Sequence, residues 1–264
     1  MSPLIIALIG GLFGLLLGSF ANVVIARVPK GESVVSPPSA CPHCGHQIGW
    51  RDNIPILSYL LLGGKCRSCH TAISARYPIV EGVMALLFGG YSYWFASIGD
   101  LYALPGILAF VFASMCLLVI DIDTFRLPNA ITVPLMGTTL VLFSAAALFH
   151  GETSRFWSML FGPVFLAGIL YIAHRIRPSG MGMGDVKYAI PMGITLGYLG
   201  IGPVIVGYFL ALFVGVGWGI TTMAKHGFKR RVPMPFGPGL VIGAFAAIIV
   251  GNQIARLYMS ITGL

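Results

Sequence analysis

Apolar runs of about 20 residues, the length an α-helix needs to cross bilayer hydrocarbon, recur along the chain and alternate with short polar connections. They fall near Leu4–Ala26, Pro78–Ile98, Leu101–Ile120, Ala130–Phe149, Phe156–Ile176, Val186–Gly200, Pro203–Ala224 and Gly239–Tyr258. The pattern predicts an all-α polytopic membrane protein with about eight transmembrane helices. Only Pro29 to Ala75 is both long and polar. The expected organisation is therefore a first transmembrane helix over 1–28, a loop over 29–75 and a seven-helix bundle over 76–264. Gly10, Gly14 and Gly18 lay a strip of bare backbone along the first helix, against which another helix can pack closely. Gly10 to Gly14 is not a nucleotide-binding glycine loop, because it lies inside an apolar run with no strand before it. Pro105, Pro134, Pro163, Pro191 and Pro203 lie inside or at the ends of runs, where a helix bundle tolerates a kink or a stop.

Composition agrees with this class: 57% of residues are hydrophobic and 9% charged. Charge then orients the chain. With the N-terminus outside, the inner loops hold fourteen of the 16 Lys and Arg residues and the outer ones only Arg155 and Arg256, a strong positive-inside bias. The first run is followed, not preceded, by Arg27 and Lys30, the reverse of a secretory signal, so it should remain as an anchor. Multi-pass insertion with both termini on the outer side of the membrane is expected. The net charge of +8 is spread over several loops, which favours membrane lipid headgroups as partners and not nucleic acid.

The polar loop contains Cys41-Pro-His-Cys44 and Cys66-Arg-Ser-Cys69, with 21 residues between the two pairs. This is close to zinc-ribbon spacing. Four thiolates satisfy a tetrahedral zinc ion, and so short a segment needs the metal to fold. Two disulfides or four unligated thiols are the alternatives, and a reducing cytoplasm disfavours the former. His43, His46 and His70 lie beside the pairs and could replace a thiolate. Cys116, inside the third run, reads as a packing residue.

Acidic groups are scarce, eight in all, and a carboxylate at membrane depth costs about 2.5–3.5 kcal/mol on insertion scales. Asp121 and Asp123 end the third run and Asp185 opens the sixth, so all three lie at one membrane face. Two carboxylates sharing a site keep one proton between them and can act as base and acid on water and a peptide carbonyl. Asp121 and Asp185 are the candidate pair for aspartyl proteolysis. The dipoles of their own helices suggest Asp185 as base and Asp121 as acid. Asp123 points to a different face and is a supporting residue or an ion-pair partner of Arg126. Gly182 and Gly184 leave backbone open beside Asp185 for an extended substrate. The structural alternative is helix capping, which suits Asp185 and not Asp121.

A proton- or ion-coupled transporter with a zinc-stabilised cap is the competing class, although such folds show inverted repeats and midplane sites and no repeat is visible here. A non-enzymatic assembly factor with structural aspartates is the third.

The combination Gly18-Ser-Phe-Ala-Asn-Val-Val-Ile-Ala-Arg-Val-Pro29, the two cysteine pairs, Trp50 to Tyr59, Arg76-Tyr-Pro-Ile-Val-Glu81, Asp121 through Asn129, Gly182-Met-Gly-Asp185 and Pro235-Phe-Gly-Pro238 resembles the bacterial type IV prepilin leader peptidases. These are polytopic aspartyl proteases of the Gly-x-Gly-Asp type. The resemblance implies that Asp121 and Asp185 are catalytic and that the substrate is a prepilin or pseudopilin. Its short basic leader would be cut after a glycine at the cytoplasmic face. Relatives with the cysteine-rich loop also N-methylate the new terminus from S-adenosylmethionine, so a bifunctional enzyme is implied. No residue pattern identifies the methyl donor's site. Glu81 is a candidate, with an ion pair to Arg76 as its plainer role. Asn129 stands where relatives often carry Asp, and an N-cap on the following helix suits either.

Overall fold

A computed structural model describes residues 1–177, 182–226 and 236–263, with side chains omitted at 222–226. Lys229, Arg230, Arg231 and Pro235, which entered the charge and motif readings, lie outside the described residues, as does the side chain of Lys225. The chain divides into two compact units, Met1–Leu101 and Tyr102–Leu264. Compactness thus groups the elements differently from polarity.

The first unit holds α1 (Pro3–Arg27), a short α2 (Leu57–Leu61) and α3 (Arg76–Ser97), with the polar loop between α1 and α3. Ser2 caps α1 through its hydroxyl, and Pro3 starts the helix where no N–H is needed. The glycine strip of α1 meets α3: a Cβ at Gly14 would come 2.7 Å from the Met84 carbonyl oxygen, and one at Gly18 2.7 Å from Glu81 Cα. Only bare backbone permits this approach. The opposite face of α1 presents Leu4, Leu8, Leu12 and Leu16, each more than 60% exposed. A row of leucines at four-residue spacing is surface suited to lipid.

The second unit consists of α4 (Leu104–Thr124), α5 (Asn129–His150), α6 (Ser154–Ile176), α7 (Met183–Leu199), α8 (Ile201–His226) and α9 (Gly237–Thr262). Each of the eight predicted runs forms a long helix. Seven of the eight are long and apolar enough to cross a membrane. The exception is α7, whose 17 residues span about 25 Å against a hydrocarbon core near 30 Å. It is also the hub, packing against all five other helices of its unit. Enclosed on every side, it has no need to match lipid thickness. Gly193 and Gly197 let it approach α6 so closely that a Cβ at Gly197 would come 2.9 Å from Met159 Cα. Cys116 is fully buried, as a packing residue should be.

Candidate active site and metal centre

Asp121 lies within the last turn of α4, which continues to Thr124 before Phe125 ends it in a left-handed conformation. Asp185 lies in the first turn of α7. Both carboxylates are buried, at 4% and 8% exposure, and they stand close enough for their charges to interact. Asp185 binds reciprocally to Gly182: each backbone N–H is used, with Asp185 N–H donating to the Gly182 carbonyl at 3.2 Å and Gly182 N–H donating to Asp185 Oδ2 at 3.2 Å. The capping role therefore coexists with burial beside Asp121. The Gly237 N–H lies beside the Asp121 carboxyl group, yet Asp121 Oδ2 is buried and makes no hydrogen bond of ordinary geometry. A buried orphan oxygen is costly in a purely structural role and is expected where a proton, water or substrate is to be met.

Asp121 belongs to a helix C-terminus, but its carboxyl group abuts Gly237, the first residue of α9. A Cβ at that glycine would come 2.5 Å from Asp121 Oδ2. The negative end of α4 is thus opposed by the positive end of α9, and the two aspartates are less different electrostatically than their own helices suggest. Gly237 was quoted in the Pro235 to Pro238 motif without a role. Its contribution is to bring a helix start against a carboxylate, which nothing in its sequence neighbourhood reveals.

Register between α4 and α7 is fixed by Tyr188, whose hydroxyl donates to Ser114 Oγ at 2.8 Å inside the bundle. Ser114 is two turns before Asp121 and Tyr188 one turn after Asp185, so each shares a helix face with its aspartate. These two residues escaped the sequence reading. Their signal is a polar side chain in an apolar run at helical spacing from a candidate carboxylate.

Asp123 is exposed, whereas Asp121 two residues earlier is buried, as opposite faces of one helix require. Gly184 is not open backbone, since a Cβ there would come 3.0 Å from Leu127 Cβ. Gly182 is less crowded, with Asp185 Oδ2 its nearest neighbour at 3.4 Å. Asn129 does not cap α5. It is the first helical residue after Pro128, no side chain caps that end, and Asn129 Oδ1 accepts from Lys187 Nζ at 3.0 Å. That bond ties the α4–α5 connection to α7. Glu81 does not pair with Arg76 either; Glu81 Oε2 accepts from the Ile56 N–H at 2.7 Å, and the carboxylate is also bonded to Ser19.

In the polar loop the Sγ atoms of Cys41, Cys44, Cys66 and Cys69 lie within 4.8 Å of one another, and none is in a disulfide. Cys41 Sγ and Cys69 Sγ are 3.8 Å apart. A tetrahedral ion with metal–sulfur bonds of about 2.3 Å requires sulfur separations of about 3.8 Å, so the set fits. His43, His46 and His70 do not join it. The two pairs form one repeated turn. Ala40 bridges to Gln47 and Lys65 to Ala72 at the same offset. Cys41 N–H donates to the His46 carbonyl and Cys66 N–H to that of Thr71, both at 2.9 Å. The residue after each second cysteine, Gly45 or His70, has positive φ. An eight-residue repeat is thus present that sequence comparison alone did not reveal, because only the cysteines are shared.

Hydrogen bonds from Thr71 hold the Cys69 thiol down to about 6, and backbone N–H groups of Cys44 and His43 lower that of Cys41. Cys44 is pushed up to about 11: the His46 backbone acts against this, but burial and the other three sulfurs outweigh it. Crowded thiols of which some ionise readily and one resists are a donor set that a cation would complete. The loop is braced by Arg67, between the second pair of cysteines, whose guanidinium grips both oxygens of Asp52 at 2.6 to 3.1 Å. That contact holds the Asp52 carboxyl below the usual carboxylate range.

Residues 12–95 match the Bacterial Peptidase A24 N-terminal domain, and residues 107–220 match the Type IV leader peptidase family. A prepilin leader peptidase/N-methyltransferase of Pseudomonas aeruginosa is 33% identical over 99% of this chain and 96% of its own length. The protein of the same name from Aeromonas hydrophila is 35% identical over 94% and 92%, and that from Bacillus subtilis 31% identical over 94% and 96%. No solved structure matches the chain.

Proposed function

The chain belongs to the type IV leader peptidase family and is a multi-pass membrane peptidase, and we propose that it removes the basic leader from prepilins or pseudopilins with Asp121 and Asp185 as the catalytic pair. One observation carries the reading: two buried carboxylates from α4 and α7 share a site in an apolar bundle, and one of them keeps an unpartnered oxygen. Such an oxygen would otherwise be a net cost to the fold.

In this mechanism Asp185, steadied by the Gly182 N–H, takes a proton from a bound water, which attacks the carbonyl carbon of the leader's terminal glycine. Asp121 donates through Oδ2 to the carbonyl oxygen, and the roles reverse as the amine leaves. Gly182 supports Asp185 directly. Gly184 seats the turn against Leu127, and Asp123 adds negative charge at the exposed end of α4, where a basic leader would arrive. The site would face the cytoplasm with both termini periplasmic, as the distribution of Lys and Arg favours.

The relatives' name extends the proposal to N-methylation of the new terminus from S-adenosylmethionine. The four cysteines would hold zinc in a structural role: four sulfur ligands leave no open coordination position for a reactant.

The test is cleavage of a membrane-embedded prepilin by purified wild type, Asp121→Asn and Asp185→Asn in detergent, with the product's mass read in the presence of S-adenosylmethionine. Cleavage by wild type alone, with an added methyl group, is expected. Cleavage by either variant at the wild-type rate would remove that aspartate from the mechanism.

A further inference from the structure

A cavity of about 510 Å³ opens within the first unit, among the end of α1, the start of α3 and the polar loop. Its size is that of a small-molecule site. Apolar atoms make most of the wall's surface, and Asn22, Tyr59, Tyr77 and Glu81 contribute polar groups beside the cationic side chains of Arg27 and Arg67, of which Arg67 is held by Asp52 and Arg27 by the Ser33 and Pro37 carbonyls. Glu81 is buried at 7% exposure, and its partners among the described residues are neutral, the Ile56 N–H and Ser19. A carboxylate buried without a cation is expensive, so such a group either takes a proton or meets a cation that comes from elsewhere. Ile56, which donates to it, has φ of +59, a strained conformation for a β-branched residue of the kind that persists at ligand sites. The aspartate pair lies wholly in the second unit. The relatives' name joins two activities, and the two family matches fall in different units.

We propose that this cavity binds S-adenosylmethionine, with the Glu81 carboxylate as counter-charge to its sulfonium. The proposal rests on the methyltransferase reading given above. In the transfer, the lone pair of the deprotonated amino terminus attacks the methyl carbon. The N–CH₃ bond forms as the S–CH₃ bond breaks, the sulfonium becomes a neutral thioether, and the methylammonium formed sheds its extra proton to solvent. Glu81 then holds the donor more tightly than the spent product, which favours exchange.

The experiment is calorimetric binding of S-adenosylmethionine and S-adenosylhomocysteine to detergent-purified full-length wild type, Glu81→Gln and Ala26→Trp. The two ligands share every group except the charged methylsulfonium. Glu81→Gln is expected to weaken S-adenosylmethionine by about tenfold and to leave S-adenosylhomocysteine nearly unchanged. The unchanged ligand also reports that the variant is folded. Ala26→Trp, which fills the cavity from α1 and keeps Glu81 and its bonds, is expected to lose both ligands. Equal effects of Glu81→Gln on the two ligands would overturn the counter-charge role. Undiminished binding by Ala26→Trp would overturn the cavity. If the wild type binds neither ligand, the methyltransferase reading itself falls, and the inference with it.

Discussion

Gly237→Ala tests the geometry of the aspartate pair without touching either carboxylate. The added Cβ would lie 2.5 Å from Asp121 Oδ2 and 3.0 Å from Asp121 Cγ, whereas ordinary contact begins at 3.4 Å. The carboxyl group or the start of α9 must therefore give way by roughly 0.9 Å. Neither movement is innocent. Rotating Asp121 takes Oδ2 out of its position, and α9 is held by its own close approach to α8, where a Cβ at Gly239 would come 2.8 Å from the Ala211 carbonyl oxygen. Misplacing a reacting group by about 1 Å costs on the order of 100-fold in rate, or about 2.7 kcal/mol of barrier. The assay is the initial rate of leader cleavage by purified enzyme, with thermal unfolding measured in parallel. The expected result is a kcat lower by about 100-fold with a destabilisation of about 1–3 kcal/mol, as overpacking produces. Gly182→Ala is the matched control: its Cβ would lie 3.4 Å from Asp185 Oδ2, so cleavage should fall by only a few-fold. Wild-type cleavage by Gly237→Ala would refute the claim that α9 sets the position of Asp121.

Three further outcomes are expected. Tyr188→Phe strands the Ser114 hydroxyl in the bundle and should cost about 1–3 kcal/mol in unfolding experiments; an unchanged midpoint would mean that the bond does not hold α4 to α7. Gly14→Val drives a side chain into the Met84 carbonyl and Ala85, so protease should cut the first unit faster, and a wild-type digestion pattern would show that α1 and α3 do not need their close contact. The affinity of the four cysteines for a metal should weaken as the pH falls, and more steeply below about 6, the value to which Thr71 holds the free Cys69 thiol. The sign follows from a lowered thiol: the thiolate is present above that pH and is lost below it, and metal requires the thiolate. An affinity in a chelator competition that does not weaken further below this pH would contradict the assignment of Cys69 as a ligand.

Helices were legible because their determinants are local. A run of about 20 apolar residues admits hardly any structure but a helix in lipid, and all eight runs became one, within a few residues of their expected ends. The cysteine pairs were legible for the same reason, since ligand spacing within a knuckle is a short-range property. The Gly10 to Gly18 strip announced a close helix contact, although only the folded chain identified α3 as the partner.

What the sequence could not determine were relations across helices. That α7 is the hub, that α9 brings Gly237 to Asp121, and that Tyr188 reaches Ser114 depend on which faces meet, and apolar runs carry little pattern to say so when lipid and protein interior are equally nonpolar. The same gap explains Asn129 and Glu81, whose neighbours along the chain suggested a cap and an ion pair and whose partners in space are Lys187 and Ile56. Residue chemistry was therefore set by the sequence, which supplied scarce carboxylates and clustered thiols in a nonpolar chain. Proximity was set by packing, because a carboxylate acquires its role only from the groups that the fold brings within a few ångströms of it.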